Sequence, residues 1–554
     1  MIHTKYKIPY TKYMNLFHLQ SKRTLIFVFL LTIVGAVLHF HNLNWGSPFY
    51  FHPDERNIAA SVSQLQFPSQ MNPNFFAYGS LPIYIIFFTG LLLNYGMHFL
   101  NQSPHFEQAI LISRFYSALF TTLLIPILFL IGKQLKNEKV GLIGAFLGTA
   151  SIGLVQFAHF GTFEIWLTFF STLLLWLCLK KLTKKITVLI GIVFGILVAT
   201  KISSLALLPI PLLIFILKTF HRKHKIYRNL FTILIHLFLF FIVAGIVYIV
   251  TNPFVFLNFA AFRATMDYET SLALGTLPVF YTGEFYNTIP IIFQFLHVYP
   301  FLLNPLLTII FVPSFCYLIV QIIKHKNPSL FILASFFIIL FLSQAVLFVK
   351  WTRYIVPTLP FVYLIIAFAC EEFSNKKREQ FSKETLALIF VTCCLFVFSY
   401  FVTAFVRPDT RVEAFLFSQK SIPVNAPILS EVYDMGIVPF NQSFDNIVLF
   451  HFYDLDNKSP DVTVNTLQKS LAETDYIILP SQRLLKTRLL QKEKYPEANI
   501  FYTKLLNGDL GFTKIYETPC DVFCKITYLG DPVFSFEQTA NVFDRPTVMI
   551  FKKM

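Results

Sequence analysis

The sequence predicts a mainly α-helical, polytopic membrane protein with about eleven transmembrane helices and a small C-terminal extracytoplasmic α/β domain. Of its 554 residues, 55% are hydrophobic, only 14% are charged, and 67 are phenylalanines. The mean hydropathy of +0.61 lies outside the range of ordinary soluble proteins. Long apolar runs fill most of the chain, whereas its last part is polar and alternates strand-like and helical patterns.

Eleven apolar runs predict membrane spans, because about 20 apolar residues cross the ~30 Å of hydrocarbon in a bilayer. They cover residues 24–43, 110–132, 140–157, 162–179, 186–200, 203–217, 230–250, 291–323, 329–349, 354–370 and 385–405. These runs divide the chain into a transmembrane region, residues 1–405, and a C-terminal domain, residues 406–554. No small-residue cleavage pattern follows the first run, which indicates a retained span rather than a signal peptide.

The distribution of positive charge predicts the orientation. If the N-terminus is cytoplasmic, the cytoplasmic segments hold 23 Lys and Arg residues and the outer loops hold 5. This asymmetry is typical of a multi-pass protein of the cell membrane, and it places the C-terminal domain outside. The net charge of +15 is therefore a topological signal. Its short clusters do not form the basic face that nucleic-acid binding requires.

The apolar segment 81–100 is an exception to the span count. As a span, it would move every later basic cluster to the outer side of the membrane. We therefore predict a re-entrant or interfacial helix in the first outer loop, residues 41–109. A second long outer loop, residues 251–290, carries several charged and aromatic side chains. Polar chemistry is thus predicted to gather on the outer face.

The C-terminal domain shows the alternating pattern of an α/β fold. A helix is predicted over 463–473, and strands are predicted over 427–432, 446–452, 475–480, 512–517, 525–529 and 547–551. Cys520 and Cys524 lie in this domain, where an oxidising compartment allows a local disulfide. The same spacing also suits a metal site, although no nearby His or second Cys pair supports one.

Two places on the predicted outer face offer carboxylates. Asp54 and Glu55 follow Pro53, so they suit the first turn of a helix and stabilise its dipole. A carboxylate there, shielded from bulk water, can also accept a proton from an attacking hydroxyl. Glu164 lies in a short outer turn, either as a solvated loop acid or as a second acid of the same pocket.

The outer face is poor in basic residues, and those present fall in two turns. Lys201 lies between two spans, and Lys350, Arg353 and Tyr354 precede another. Snorkelling at the membrane surface is one explanation of these cations. The other is phosphate binding at headgroup level, where Arg binds bidentately and Lys acts as a point charge. Together, the acids and cations indicate group transfer from a lipid phosphate to a hydroxyl.

In type and order, these residues resemble those of the GT-C type membrane glycosyltransferases. The resemblance is to the branch that includes protein O-mannosyltransferases and the aminoarabinose transferases of lipid A, and it covers most of the membrane region. The motifs that carry it are His52-Pro53-Asp54-Glu55, Tyr78-Gly79-Ser80-Leu81-Pro82, Arg114, Glu164, Ala199-Thr200-Lys201 and Lys350-Trp351-Thr352-Arg353-Tyr354-Ile355-Val356-Pro357. Glu164 departs from the pattern, since the family usually has an aspartate there.

The resemblance implies a transferase that moves a sugar from a polyprenyl-phosphate donor to an acceptor hydroxyl and inverts the anomeric centre. Asp54 is then the base, with Glu55 in support and Glu164 as a further acid. Lys201, with Arg353 or Lys350 and Tyr354, holds the donor phosphate. His52, Tyr78 and Arg114 complete the pocket on the acceptor side.

Two other classes of function are weighed against this one. A transporter or flippase of lipid-linked sugars would bury charges at mid-membrane and carry paired broken helices, but these spans are almost free of charge. A non-catalytic receptor would tolerate Asp54→Asn. The residues determine neither the sugar nor the acceptor, which is a protein, a lipid or a glycan. They leave one cofactor open, a divalent cation at Asp54, Glu55 and Glu164, for which no dedicated cage is visible.

Overall fold

The computed structural model describes residues 22–96, 102–220, 226–374, 379–432, 434–456, 460–528 and 535–554. The first eight helices are α1 (Lys22–Phe40), α2 (Pro53–Ser63), α3 (Ser80–Gly96), α4 (Phe106–Leu135), α5 (Glu138–Thr149), α6 (Ile152–Ala158), α7 (Glu164–Leu179) and α8 (Lys184–Thr200). The transmembrane region continues with α9 (Pro209–Phe220), α10 (Ile226–Thr251), α11 (Phe254–Leu257), α12 (Phe259–Leu274), α13 (Tyr299–Leu302), α14 (Pro305–His325), α15 (Pro328–Ala345), α16 (Thr352–Ile355), α17 (Leu359–Ser374) and α18 (Glu379–Phe401).

Each predicted apolar run contains helix, but not every helix is long enough for a span. Among the described residues, eight helical segments are long and apolar enough to cross a membrane, and the pair α5–α6, bent by 55°, makes a ninth. The runs predicted at 162–179 and 186–200 form α7 and α8, which have only 16 and 17 residues. The helix α7 begins at the polar residue Glu164, and α8 ends at Thr200, directly before Lys201.

The segment predicted as an interfacial helix is helical over α3, which has 17 residues. Its depth in the membrane stays a prediction, and its end, including His98, lies outside the described residues. The basic residues used for the orientation are only partly covered. Those outside the described residues are Lys5, Lys7, Lys12, Arg222, Lys223, Lys225, Lys376, Lys377 and Arg378.

The long helix α4 is central to the bundle, where it packs against α1, α5 and α7. The turn from α4 to α5 is tight enough to need glycine. A Cβ atom at Gly132 would lie 2.7 Å from the backbone of Gly141, so a side chain would push the two helices apart. Close packing of this hairpin holds α4, which carries Arg114 near its N-terminal end, in a defined position.

The C-terminal domain is α/β, as predicted. Its elements are α19 (Thr410–Ser421), β1 (Ile428–Glu431), α20 (Val438–Asn441), β2 (Ile447–Phe450), α21 (Pro460–Ala472), β3 (Tyr476–Leu479), α22 (Arg483–Leu490), α23 (Pro496–Asn507), β4 (Phe512–Glu517), α24 (Val522–Thr527) and β5 (Met549–Lys553). The strand order is β2-β1-β3-β5-β4. β1 pairs in parallel with β2 and β3, whereas β5 is antiparallel to β3 and β4.

The strand predicted over 525–529 is wrong, because its described part belongs to the helix α24. The side chain of Asp521 accepts a hydrogen bond from the Cys524 backbone N–H and caps this helix. The structure also confirms a disulfide between Cys520 and Cys524, four residues apart. Cap and disulfide hold this segment in a tight turn that a strand cannot follow.

The C-terminal domain is docked on the transmembrane region through the segment before β5. Gln156 of α6 donates a hydrogen bond of 2.7 Å to the carbonyl of Ala540, and Tyr400 of α18 donates to Asp544. A buried ion pair of 2.6 Å joins Lys486 of α22 to Glu284. Apolar side chains of the two regions form one continuous core. The C-terminal domain is therefore held in a fixed position on the transmembrane region.

Candidate active site

The helix α2 begins at Pro53, as predicted, with Asp54 and Glu55 in its first turn. Proline suits this position because its fixed φ matches a helix and its missing N–H is not needed there. His52 precedes the helix with an extended backbone and makes no side-chain cap. The two acids lie at the positive end of the helix dipole, which stabilises their charged forms.

Glu55 forms a buried bidentate pair with Arg114 of α4. The Arg114 Nε and Nη2 atoms donate to the two Glu55 oxygens at 2.8 and 2.6 Å, and neither side chain is exposed. Arg114 Nη1 donates to the carbonyls of Leu43 and Trp45, and the Gly161 backbone N–H donates to Glu55. With its oxygens occupied, Glu55 positions α2 against α4 and has no capacity left for a substrate.

Asp54 lies on the open side of α2 and pairs with Arg353 of α16. The guanidinium of Arg353 also stacks over Trp351, with its central carbon 4.7 Å from the ring centre. Burial alone raises the pKa of Asp54, but the charge of Arg353, helped by His52 and Lys201, outweighs burial and lowers it. Asp54 is therefore an ionised carboxylate held by a cation.

Glu164, Tyr78 and Lys201 form a second group at the same place. The Tyr78 hydroxyl donates to Glu164 Oε1 at 3.1 Å, and Lys201 Nζ lies 4.0 Å from the same oxygen. Lys201 Nζ also lies over the rings of Tyr78 and Tyr354, at 5.1 and 4.9 Å. Burial lowers the pKa of Lys201, although the charge of Glu164 opposes this effect. The arrangement holds one cation above an acid and between two aromatic faces.

A backbone contact ties the Tyr78 loop to the Lys201 turn. The Gly79 N–H donates to the Thr200 carbonyl at 2.9 Å, and the next N–H, of Ser80, donates to Asn252 Oδ1. A Cβ atom at Gly79 would lie 1.9 Å from the Ala199 carbonyl oxygen, so only glycine allows this approach. The motif Tyr78-Gly79-Ser80 thus places the tyrosine beside the lysine.

Four of these residues line a cavity that is partly open to solvent and has about 480 Å³ of empty space, open solvent included. Glu164, Lys201, Arg353 and Tyr354 line its polar part. The remaining walls come from the membrane helices and are lined by Leu167, Leu197, Leu207, Leu340 and Pro357, with Ser171, Ser203, Ser204, Ser343 and Gln344. A cavity with charges at one end and leucine and hydroxyl side chains along the rest fits an amphiphile with an anionic head.

Two of the sequence-predicted residues, Lys350 and His52, make no hydrogen bond or ion pair with this cluster in the described parts of the chain. Lys350 donates at 2.8 Å to the carbonyl of Phe348, and burial lowers its pKa to about 8. His52 packs its ring against Phe160 and Phe543, at 4.7 and 4.3 Å, and burial lowers its pKa. Of the two phosphate ligands that the resemblance left open, Arg353 is therefore the one that reaches the other site residues.

Sequence reasoning missed two charged residues near the site. Glu269 of α12 interacts electrostatically with Lys201 and Arg353, and burial raises its pKa. Arg483, at the start of α22, interacts electrostatically with Asp54, although Arg483 belongs to the C-terminal domain. Glu269 was visible as one of the acids in the second long loop, residues 251–290. No sequence signal marks Arg483, because only docking of the domain brings it to the membrane region.

The C-terminal domain also holds the turn that carries Arg353. The Glu537 carboxylate accepts hydrogen bonds from the backbone N–H and the hydroxyl of Thr352, at 2.9 and 2.7 Å. Thr352 is the first residue of α16. Glu537 is buried, and burial, followed by the charge of Glu284, raises its pKa. This contact fixes the start of α16 and hence the position of Arg353.

The acids do not form a set of ligands for a divalent cation. No group of three or more His, Cys, Asp or Glu side chains is arranged for a metal ion in the described parts of the chain. Glu55 is consumed by Arg114, and Asp54 and Glu164 each face a cationic side chain instead. Hard cations require several free oxygen ligands. Glu164 Oε2 is one buried oxygen without a partner, and a divalent cation at these acids stays a prediction.

The middle of the transmembrane region matches a known protein family. Residues 106–249 match the sequence model of the dolichyl-phosphate-mannose-protein mannosyltransferase family. This segment begins with α4 and ends within α10, so it includes Arg114, Glu164 and Lys201. A search of curated protein sequences finds no match.

Solved structures with the same architecture include the oligosaccharyltransferase of Archaeoglobus fulgidus in its apo form. It is 12% identical, the match covers 96% of this chain and 88% of that one, and the TM-score is 0.53. ArnT from Cupriavidus metallidurans bound to undecaprenyl phosphate is 13% identical over 95% of this chain and 98% of its own, with a TM-score of 0.45. The chain therefore shares the fold of this oligosaccharyltransferase, and residues 106–249 match the mannosyltransferase family model.

Proposed function

We propose that this protein transfers a sugar from a polyprenyl-phosphate donor to an acceptor hydroxyl at the outer face of the membrane, with inversion at the anomeric carbon. The observation that carries the proposal is the meeting of the pairs Asp54–Arg353 and Glu164–Lys201 at the polar end of the cavity. The description of the matching family, a dolichyl-phosphate-mannose-dependent transferase, supports a lipid-phosphate carrier.

The donor is proposed to lie with its phosphate at Lys201 and Arg353 and the start of its polyprenyl chain along the leucine-lined walls. Charge-assisted hydrogen bonds to phosphate are stronger than those between neutral groups, and arginine offers a bidentate fork. Tyr78 and Tyr354 flank the lysine and limit where its ammonium group points. The same cations stabilise the negative charge that grows on the departing phosphate.

The reaction is a direct displacement. The acceptor oxygen attacks the anomeric carbon, and the bond from that carbon to the phosphate oxygen breaks with its electron pair. Polyprenyl phosphate leaves, and the acceptor proton passes to Asp54, which acts as the general base. One displacement inverts the anomeric centre. The charged groups present provide the base and the stabilised leaving group, so no step is assigned to a divalent cation.

Donor binding has a consequence for the base. While Arg353 pairs with Asp54, the carboxylate is ionised but weakly basic. A donor phosphate competes for the same guanidinium, so it weakens the pull of Arg353 on Asp54 and raises the basicity of the carboxylate. We propose that Asp54 becomes an effective base only when the donor is in place, which favours transfer over idle proton exchange.

The other functional classes receive less support. A flippase needs a charged path through the membrane, but only Glu164, Lys201 and Arg353 are charged among the residues that line this cavity. A receptor needs no cavity with paired acids and cations from separate elements, whereas Asp54–Arg353 and Glu164–Lys201 are such pairs at this cavity.

The decisive experiment compares variants in a host strain that lacks this chain. The native protein restores a glycan product identified by mass spectrometry, and Asp54→Asn is expected to lower its formation by about 10²- to 10⁴-fold, the usual contribution of a general base. In detergent, Asp54→Asn still binds undecaprenyl phosphate, whereas Lys201→Ala weakens this binding at least about tenfold, since a charged hydrogen bond contributes about 1.5–3 kcal/mol.

The matched control for Asp54→Asn is Asp267→Asn, which removes the same charge at a side chain that is 73% exposed on α12. It leaves both product and binding at the native level. Full product from the Asp54→Asn variant would refute the assignment of the base, and unchanged lipid binding in Lys201→Ala would refute the donor site.

A further inference from the structure

Arg483 is a cation that the protein itself does not neutralise. Its guanidinium forms no ion pair and no hydrogen bond with any residue that the structure describes, and its Nε atom is buried without a partner. The nearest carboxylate in electrostatic effect is Asp434, but the Asp434 oxygens accept hydrogen bonds from the Gly436 N–H and the Ser481 hydroxyl. A partly buried guanidinium with unused donors is costly unless a ligand completes it.

The surroundings hold Arg483 in place. Its guanidinium lies over the rings of Phe280 and Tyr281 in the second outer loop, at 5.2 and 5.3 Å. The preceding residue, Gln482, is locked at both ends of its amide, by Asn541 and by the Thr547 N–H. A side chain stacked on two rings at a rigid helix start is preorganised, so little entropy is lost when it binds a ligand.

The position of Arg483 connects it to the reacting groups. Tyr281 contacts Trp351 with ring centres 6.1 Å apart, and Trp351 stacks on Arg353, the partner of Asp54. Arg483 and Lys201 both interact electrostatically with Asp54, Lys201 more strongly, and Lys201 also pairs with Glu164. Arg483 thus approaches Asp54 from the C-terminal domain, while the donor cations approach it from the membrane cavity.

We propose that Arg483, on its platform of Phe280 and Tyr281, binds an anionic group of the acceptor, a phosphate or a carboxylate, and so selects acceptors that carry one near the accepting hydroxyl. This inference rests on the proposed function, because it assumes that the cavity side of Asp54 is taken by the donor. The planar fork of arginine matches both anions bidentately. Specificity then resides in the C-terminal domain and catalysis in the membrane region.

The test measures binding of three soluble sugars to the full-length protein in detergent that contains saturating undecaprenyl phosphate. Glucose 6-phosphate, glucuronate and glucose share a ring and differ in charge, so they separate a phosphate preference from a carboxylate preference. At least one anionic sugar is expected to bind at least tenfold more tightly than glucose. Arg483→Gln removes this difference, and Arg483→Lys, which keeps the charge but loses the fork, retains part of it.

The control is Arg263→Gln, which removes the same charge from an exposed side chain of α12 and leaves anionic sugar binding unchanged. Equal binding of all three sugars overturns the proposal, as does an Arg483→Gln variant with native preference. If Arg483→Gln unfolds at a lower temperature than the native protein, the binding measured with Arg483→Lys decides. Because this variant keeps the charge and lacks the fork, a native preference for anionic sugars in it overturns bidentate recognition.

Lys201→Ala separates this proposal from the function it rests on. Loss of undecaprenyl phosphate binding in Lys201→Ala with retained anionic sugar binding supports both sites as distinct. Anionic sugar binding that disappears with Lys201→Ala but not with Arg483→Gln places the sugar in the donor site and overturns the acceptor subsite alone. Unchanged undecaprenyl phosphate binding in Lys201→Ala refutes the proposed donor site. Sugar binding by Arg483→Gln then still decides whether Arg483 binds the anionic group.

Discussion

Asp54 and Glu55 are neighbours in the chain with separate roles. Successive residues on a helix point about 100° apart, since a turn holds 3.6 residues. Glu55 therefore turns towards α4 and Arg114, whereas Asp54 turns towards Arg353 and the cavity. A buried bidentate pair makes the first a positioning residue, and partial exposure leaves the second available to an acceptor. The catalytic role that the resemblance extends to Glu55 stays a prediction that this geometry does not favour.

The state of Asp54 predicts how activity depends on pH. Its pKa is lowered from an ordinary aspartate value of about 3.9, so the carboxylate remains ionised as the pH falls from about 7 to about 5. Turnover at limiting donor, which reports on the donor-free enzyme, is expected to show no acid loss from this residue in that range. The ion pair with Arg353 also stabilises the folded protein at pH values above the unfolded-state pKa of Asp54. This stability is lost only as the pH falls through the lower folded-state pKa.

Replacing Arg353 raises the pKa of Asp54. Arg353→Gln removes the largest of the charges that oppose the effect of burial on this carboxyl. The residual turnover of this variant is expected to fall at a higher pH than native turnover, with an acid limb displaced upwards. The measurement is a pair of pH–rate profiles, with thermal unfolding recorded at each pH. A limb that stays in the native position would exclude control of Asp54 by Arg353.

Short helices build the site at the level of elements. At about 1.5 Å per residue, the 16 residues of α7 and the 17 of α8 extend about 24 and about 26 Å, less than the ~30 Å of a hydrocarbon core. Glu164 begins the first and Lys201 follows the second. A pair of helices that stop short leaves room for a recessed polar end, where charges are shielded from water yet not surrounded by lipid.

The helix α16 depends on an element far away in sequence. Glu537→Ala removes the acceptor for both donors of Thr352, which costs about 1–3 kcal/mol for unsatisfied buried groups. The start of α16 is expected to loosen, so that undecaprenyl phosphate binds about tenfold more weakly and turnover falls. Glu537→Gln, which keeps one carbonyl acceptor, is expected to lie between this variant and the native protein.

The readout for Glu537 is donor affinity together with thermal stability. A merely structural role would lower the unfolding temperature and leave donor affinity per folded molecule intact. Glu473→Ala serves as the control, because this acid is exposed directly after α21, whereas Glu537 is buried against Thr352. Native donor affinity in Glu537→Ala would show that Arg353 is positioned without this contact.

At the scale of the whole molecule, the site joins two regions. The transmembrane region supplies the acids, the donor cations and the cavity, and the C-terminal domain supplies Glu537 and Arg483. Buried hydrogen bonds and a shared apolar core fix the domain on the bundle. Both regions must therefore face the same compartment for the protein to work as proposed.

This requirement predicts the labelling pattern of single cysteines. In a background without the five free cysteines found among the described residues, Lys492→Cys of the C-terminal domain is expected to react with a membrane-impermeant maleimide on intact cells. Lys181→Cys, between α7 and α8, is expected to react only after lysis, because basic clusters remain in the cytoplasm. Both positions carry lysine in the native chain. Labelling of Lys181→Cys on intact cells would invert the proposed orientation.

Composition and periodicity alone were sufficient for the polytopic helical region and for the α/β pattern of the C-terminal domain, because hydrophobic runs and alternation are local properties. The motifs around Asp54, Glu164, Lys201 and Arg353 could likewise be found from residue type and order. Packing decided the rest. Contacts between residues hundreds of positions apart decide which acid faces Arg353, why Lys350 forms no ion pair in the site, and how Glu537 and Arg483 reach it. Local sequence patterns carry no information about such contacts.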